Sequence, residues 1–237
     1  DLLVEVKEMQ TGTMNFGVLA GSDDGIMGNI SLNQRNFDVA DFPESWSEFW
    51  QAKAFRGAGQ AFSMAFQPGD EVFNYQISLS DPRFLQTDYS IGGDAGWRKR
   101  TYDEYNHEKL YSKVSLGRRF GDIWSGRISI IANRVELTDL TNDVPVEIFN
   151  NQGPTNIDSV GITATRTTLQ PYNGPQKGSR LELSLNQYGM ISGDYDFTKA
   201  TVSYTTYFTV DRDFLGRPTT LRLDGRVGYI FGGEAPT

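Results

Sequence analysis

The feature that most constrains this chain is a period of two that runs almost from end to end. Met14, Phe16, Val18 and Ala20 alternate with Asn15, Gly17, Leu19 and Gly21. After the turn Ser22-Asp23-Asp24-Gly25, Ile26, Gly28, Ile30 and Leu32 return against Met27, Asn29, Ser31 and Asn33. The same exchange recurs around Phe62–Phe66, Phe73–Ser80, Tyr89–Arg98, Leu110–Gly117, Trp124–Asn133, Val160–Thr165, Arg180–Asn186, Lys199–Phe208 and Leu221–Phe231. Alternate residues of a strand project to opposite faces, so this pattern predicts eleven strands with one apolar and one polar face. Asp-Gly pairs and Pro-Gly-Asp between the runs are hairpin signals. The expected fold is all-β, an antiparallel up-and-down meander.

The strands read at about 9–12 residues, longer than the ~5–6 typical of soluble sheets and close to what crosses a bilayer at a tilt. The polar face carries Arg98, Lys113, Arg127, Arg180, Glu182, Lys199, Arg222, Asp224 and Arg226. Such charges suit a wet lumen, with pairing across strands as their ordinary state. Tyr89, Trp97, Trp124, Phe208, Tyr229 and Phe231 stand near the ends of apolar faces, as interfacial girdles do. Short connections such as Phe120–Ile123 are expected to alternate with long ones such as Asp139–Asn156. The pattern favours a transmembrane β-barrel over a soluble sheet. Eleven is odd, whereas single-chain bacterial barrels close with even numbers, so the chain is expected to form an incomplete barrel.

Composition narrows the function. The 237 residues carry a net charge of −8, which disfavours nucleic acid as a partner. There is no cysteine, so neither a disulfide framework nor a cysteine zinc site is available. No apolar run approaches the ~20 residues of a spanning helix. The chain opens at Asp1 without a leader, so a secretion signal is expected to have been removed or to lie outside this sequence.

One stretch, Asn36 to Gly57, breaks the meander. Ser45-Trp46-Ser47-Glu48 has capping-box spacing, and Trp46, Phe49, Trp50 and Ala54 fall on one helical face. This predicts one short amphipathic helix. Two readings stand: a membrane-interface helix bearing Trp46, Phe49 and Trp50, or a helix that plugs a sheet end.

The opening stretch resembles a known family. Glu8, Thr11-Gly12, Phe16-Gly17, Gly21-Ser22, Gly25, Gly28, Leu32 and Asn36-Phe37 read like the first barrel hairpin of BamA-type outer-membrane assembly factors. The same superfamily holds TamA and the FhaC-type secretion transporters. Phe55–Gly59, Asp81–Phe84 and Gly228–Gly232 are similar to further family segments. The resemblance implies that residues 1–10 end a periplasmic POTRA domain and its linker, and that 11–237 are the N-terminal part of a barrel of about sixteen strands. The family's Arg-Gly-Phe/Tyr loop tip and aromatic-ended last strand are absent; Phe55-Arg56-Gly57 is not that tip.

The resemblance also implies a function: folding and inserting β-barrel proteins at a lateral gate of the bacterial outer membrane. The gate strand would be Thr13, Met14, Asn15, Phe16, Gly17, Val18, Leu19 and Ala20, whose edge templates a client strand. Asn15 and Gly17 are poor strand formers, which fits a weakly held edge. The other reading of Gly17 is relief of crowding at a bend. Implied partners are unfolded outer-membrane proteins, outer-membrane lipid, accessory lipoproteins and periplasmic chaperones. Alternatives are a secretion transporter of the same superfamily and a plain pore.

No enzyme is expected. His107, the single histidine, reads as an inert loop residue with no serine at i±2. The acidic groups Asp23-Asp24, Asp139–Asp143 and Asp194–Asp196 lack the ordered spacing of a calcium loop and read as solvated loops. Neither metal nor cofactor is expected.

Overall fold

A computed structural model describes residues 11–22, 24–47, 54–141, 144–150, 152–169 and 177–234. All eleven expected strands form. They are β1 (Gly12–Gly21), β2 (Gly25–Phe37), β3 (Gln60–Gln67), β4 (Val72–Asp81), β5 (Tyr89–Thr101) and β6 (Asn106–Phe120), then β7 (Trp124–Thr138), β8 (Gly153–Thr167), β9 (Gly178–Tyr188), β10 (Asp196–Arg212) and β11 (Pro218–Glu234). They hydrogen-bond in sequence order as one eleven-stranded sheet with β1 and β11 at its two ends. The strands extend beyond the alternating cores read from the sequence, because their ends run into polar residues that keep pairing. β6, for example, starts at Asn106. His107 is therefore a half-buried residue of a strand and not an exposed loop histidine.

The chain divides into two compact units. The first is Asp1–Pro82, Gly92–Leu110 and Leu137–Gln152; the second is Arg83–Ile91, Tyr111–Glu136 and Gly153–Thr237. In the first, the register carries the alternation across four strands. Phe16 lies opposite Ile30, Ile30 opposite Phe66 and Phe66 opposite Tyr75; Met14, Leu32, Met64 and Ile77 form the next apolar row. Between them run polar rows, Asn15–Ser31–Ala65–Gln76 and Thr13–Asn33–Ser63–Ser78. Gly25 turns the first hairpin at φ 65°, a conformation that costs glycine little.

In the second unit, Ile162, Leu185, Ala200 and Tyr229 share one row, and Ala164, Leu183, Val202 and Val227 the next. The opposite face holds Thr165–Glu182–Ser203–Arg226 and Thr167–Arg180–Thr205–Asp224.

Neither unit buries its apolar face. Among the described residues the buried hydrophobic side chains are Met27, Val72 and Phe197. Phe16, Val18, Val114, Ile128, Ile162, Leu185, Phe208, Val227 and Tyr229 are all exposed. A soluble sheet would leave such rows uncovered at a large free-energy cost, since each fully buried aliphatic or aromatic side chain is worth roughly 1.5–3 kcal/mol. Hydrocarbon removes that cost, and only helices and closed or closing sheets satisfy their backbones there. No described helix is long and apolar enough to cross a membrane.

The connections depart from the expected alternation of short and long. The 38–59 and 139–152 connections are both long yet join opposite strand ends, as the strand order requires. The second contains a helix the sequence reading did not foresee, α1 (Val146–Asn150). Residues 1–10, assigned above to a POTRA end and linker, lie outside the described residues.

Candidate functional site: the exposed edge strand

β1 is an edge strand in every respect. Its ten residues pair with β2 without a bulge, from Gly12 opposite Gln34 to Gly21 opposite Gly25. It has no other strand neighbour among the described residues. Thr13 to Ala20 are all exposed, with Phe16 at 69% and Val18 at 75%. The outward edge thus presents unpaired backbone groups flanked by an apolar face (Met14, Phe16, Val18, Ala20) and a largely polar one (Thr13, Asn15, Gly17, Leu19). An extended polypeptide of matching alternation would meet backbone partners and a continuous apolar row at once.

Side-chain support for the strand is thin. Asn15 Nδ2 donates to Ser31 Oγ at 3.3 Å, and Gln34 Nε2 donates to Thr11 Oγ1 at 3.1 Å. On the polar face a groove of about 520 Å³ is lined in part by Thr13, Asn33, Ser63 and Ser78. A Cβ built on Gly17 meets nothing within 4 Å. The crowding explanation for this glycine is therefore corrected: there is open space around it. What Gly17 supplies is a missing side chain, hence fewer cross-strand contacts and a weaker strand.

The predicted amphipathic helix is partly visible. Trp46 and Ser47 are helical, and Trp46 is 79% exposed. Phe49 and Trp50 lie outside the described residues. The loop leading to Trp46 is held at its base. Phe55 N donates to Asp41 O at 2.8 Å, Arg56 N donates to Asp41 Oδ2 at 3.1 Å, and Phe55 stacks on Phe37 at 5.5 Å.

Four of the polar-face charges read from the sequence pair with one another, and they do so along their own strands. Arg180 meets Glu182 at 2.7 Å and Arg222 meets Asp224 at 2.6 Å, each two positions apart on one face. Thr205 Oγ1 adds a bond to Asp224 from the neighbouring strand at 2.7 Å, and Lys99 meets Glu108 at 3.2 Å. Spacing of two on a pleated strand brings side chains to the same face, which is why these pairs form locally.

The sequence reading missed one polar site. Asp158, 3% exposed, accepts backbone N–H bonds from Ile191 at 2.9 Å and Ser192 at 3.1 Å, while its carbonyl accepts from Gly189 at 3.1 Å. Its other carboxylate oxygen sits where a Cβ on Gly193 would clash. Asp194 belongs to the same latch: its carboxylate accepts Asn156 N at 2.6 Å, and its N–H donates to Asn156 O at 2.8 Å. Asp194 is therefore an engaged loop residue, and Asp196 opens β10 and accepts from Gln187 Nε2 at 2.8 Å. No cluster of metal-ligating residues occurs among the described residues.

An antiparallel eleven-strand sheet with exposed apolar rows and an exposed edge strand has the character of an outer-membrane barrel. The chain belongs to the Omp85 superfamily, whose domain profile matches residues 54–236. It is 22% identical over 235 residues to the outer membrane protein assembly factor BamA of Neorickettsia risticii (strain Illinois), covering 98% of this chain and 29% of the relative. Its fold is similar to the crystal structure of BamA from Haemophilus ducreyi lacking POTRA domains 1–3. The TM-score is 0.61 at 16% identity, over 94% of this chain and 42% of that one. The chain thus spans less than a third of the curated relative it matches and has the fold of a partial BamA-like barrel.

The likenesses are consistent with a BamA-type barrel, the C-terminal part of such a protein rather than its N-terminal part. Meander strands share one alternating pattern, so the pattern identifies a barrel strand without numbering it.

Proposed function

We propose that this chain is part of an outer-membrane protein assembly factor, which folds and inserts β-barrel clients by pairing them with the free edge of β1. The carrying observation is that edge: ten residues in unbroken register with β2, unpaired outward, exposed on both faces. The proposal takes β1 as the barrel's first strand, as the likeness of residues 8–37 to the family's first barrel hairpin implies. An incoming strand would gain backbone hydrogen bonds on one side and leave the other for the next strand of the client. No covalent step, cofactor or metal is involved. Trp46, with Phe49 and Trp50, would lie at the membrane interface beside the strands. Clients, outer-membrane lipid, accessory lipoproteins and periplasmic chaperones are the proposed partners, and the outer membrane the proposed location, in keeping with the family.

The test is client folding. The full-length protein is reconstituted in liposomes, and folding of a urea-unfolded barrel client is followed by its heat-modifiable gel migration. The expected result is faster folding than in empty liposomes, slowed by a peptide copying the client's terminal strand. Folding no faster than in empty liposomes would overturn the proposal. Conductance alone would favour a plain pore, and crosslinks from Arg180 to a translocating passenger would favour a secretion transporter.

A further inference from the structure

The β10–β11 turn, Asp213 to Arg217, is built unlike an ordinary polar loop. Asp213 organises it. Leu215 N and Arg217 N donate to Asp213 Oδ1 at 3.0 and 2.9 Å, and Arg217 Nε donates to Oδ2 at 2.6 Å. Gly216 N donates to Asp213 O at 2.9 Å, Asp213 N to Arg217 O at 3.1 Å, and Arg212 Nη1 to Gly216 O at 3.3 Å. The polar groups of the turn are thus spent on each other. What projects is apolar: Phe214 is 93% exposed and Leu215 63%. Scattered exposed hydrophobics are ordinary. Here two adjacent ones are held outward by a fixed backbone, so the ordering cost of presenting them is already met before anything binds.

The tip continues the lipid-facing row. On β10 that row is Ala200, Val202, Tyr204, Thr206 and Phe208, and the 64% exposed Val210 is the extra residue where the register shifts between Thr209 and Asp211. From Ala200 to Val210 the strand rises ~33 Å, or ~25 Å along the membrane normal at a tilt of ~40°, which matches the height of a barrel's apolar band. Val210 then stands at the rim of the band. Phe214 follows within the headgroup layer, which is ~5–7 Å deep on each side. Charge does not compete: Arg212 and Arg217 are matched in number by Asp211 and Asp213.

We propose that the β10–β11 turn is a membrane wedge, with Phe214 and Leu215 inserted at the headgroup–acyl boundary beside the strands that cross the bilayer. The occupant of this surface is phospholipid, and because the turn has no net charge, insertion is independent of anionic lipid. The wedge rests on the transmembrane sheet alone and does not depend on the client-pairing function. It would fix how deeply the β10–β11 hairpin sits, and Arg217 could lay its aliphatic stem along the interface with its guanidinium in water.

The test uses the absence of cysteine from these 237 residues. In the full-length protein, with any cysteine outside them replaced by serine, Phe214→Cys and Leu215→Cys are made separately and spin-labelled. Asp103→Cys, in an exposed turn, serves as the aqueous control. Proteins that show native heat-modifiable migration in phosphatidylcholine vesicles, with and without phosphatidylglycerol, are examined by electron paramagnetic resonance with oxygen and a water-soluble nickel chelate. The expected result at both tip positions is high oxygen and low nickel accessibility, unchanged by phosphatidylglycerol, against high nickel accessibility at 103. Nickel accessibility equal to the control would overturn the wedge by placing the tip in water. Low accessibility to both reagents would overturn it by placing the tip against protein.

Discussion

The first hairpin and the last four strands use the same alternation and end up with different security. β1 is held by ladder bonds to β2 and by one 3.3 Å side-chain bond from the strand proper. β8 to β11 carry long strands, in-face ion pairs, a buried aspartate latch at one loop and a carboxylate-stapled turn at another. Stability in a sheet is local where side chains add to the ladder and low where they do not. The lesson is that this chain keeps its polar fasteners away from the strand proposed to pair with clients.

The comparison is broken most severely at Asp158. Asp158→Ala leaves the N–H groups of the exposed residues Ile191 and Ser192 without their carboxylate acceptor, at about 0.5–1.5 kcal/mol for each hydrogen bond lost. Hydrogen exchange is expected to speed up across 189–194 while β1 amides are unchanged. Equal exchange at 189–194 in both proteins would mean that the latch does not secure this region.

Gly17 sharpens the other side. Because the space around it is open, Gly17→Ala is expected to strengthen β1 by about 0.5–1 kcal/mol and so to slow exchange of β1 amides a few-fold. Faster exchange would return Gly17 to a steric role. If a weak edge serves client capture, the same variant folds clients more slowly.

Smaller still is Arg180→Ala. The pair with Glu182 is about half exposed, so its loss is expected to cost ~0.2–1 kcal/mol, read as a small fall in the unfolding midpoint in detergent. A loss well above that range would mean that the polar face is drier than its exposure implies.

The mildest effect is one of pH, confined to the β10–β11 turn. The Arg217 backbone N–H, then its side chain, hold the Asp213 carboxyl below the usual carboxylate range. A group whose folded pKa is depressed stabilises fully above its unfolded pKa, and that stabilisation is lost as pH falls through the folded value. Amide exchange at 214–217, corrected for its intrinsic pH dependence, should stay slow at neutral pH and quicken only under strong acidification. Loss of protection between pH 6 and 8 would contradict the assignment.

Strand positions were legible because period two is a direct image of the pleat. Strand lengths were less so: His107, Glu108 and Lys109 interrupt the alternation, yet their backbones keep pairing in β6. Asp158 was invisible because its partners lie 33 and 34 residues away and leave no local pattern. Phe214 and Leu215 were passed over because two apolar residues in a turn have no period to detect. The edge at β1 was anticipated through family motifs, while its exposure and the open space at Gly17 needed coordinates.

The central claim is that β1 pairs with client strands. Its most direct test places a photocrosslinking residue singly at Thr13, Asn15, Gly17, Leu19 and, for comparison, Val202 and Val227, in the full-length protein in its native membrane. The account predicts adducts with a stalled client's terminal strand from the β1 positions, shifting in register along the strand, and none from β10 or β11. Client adducts absent from β1, or equally abundant from Val202 and Val227, would contradict it.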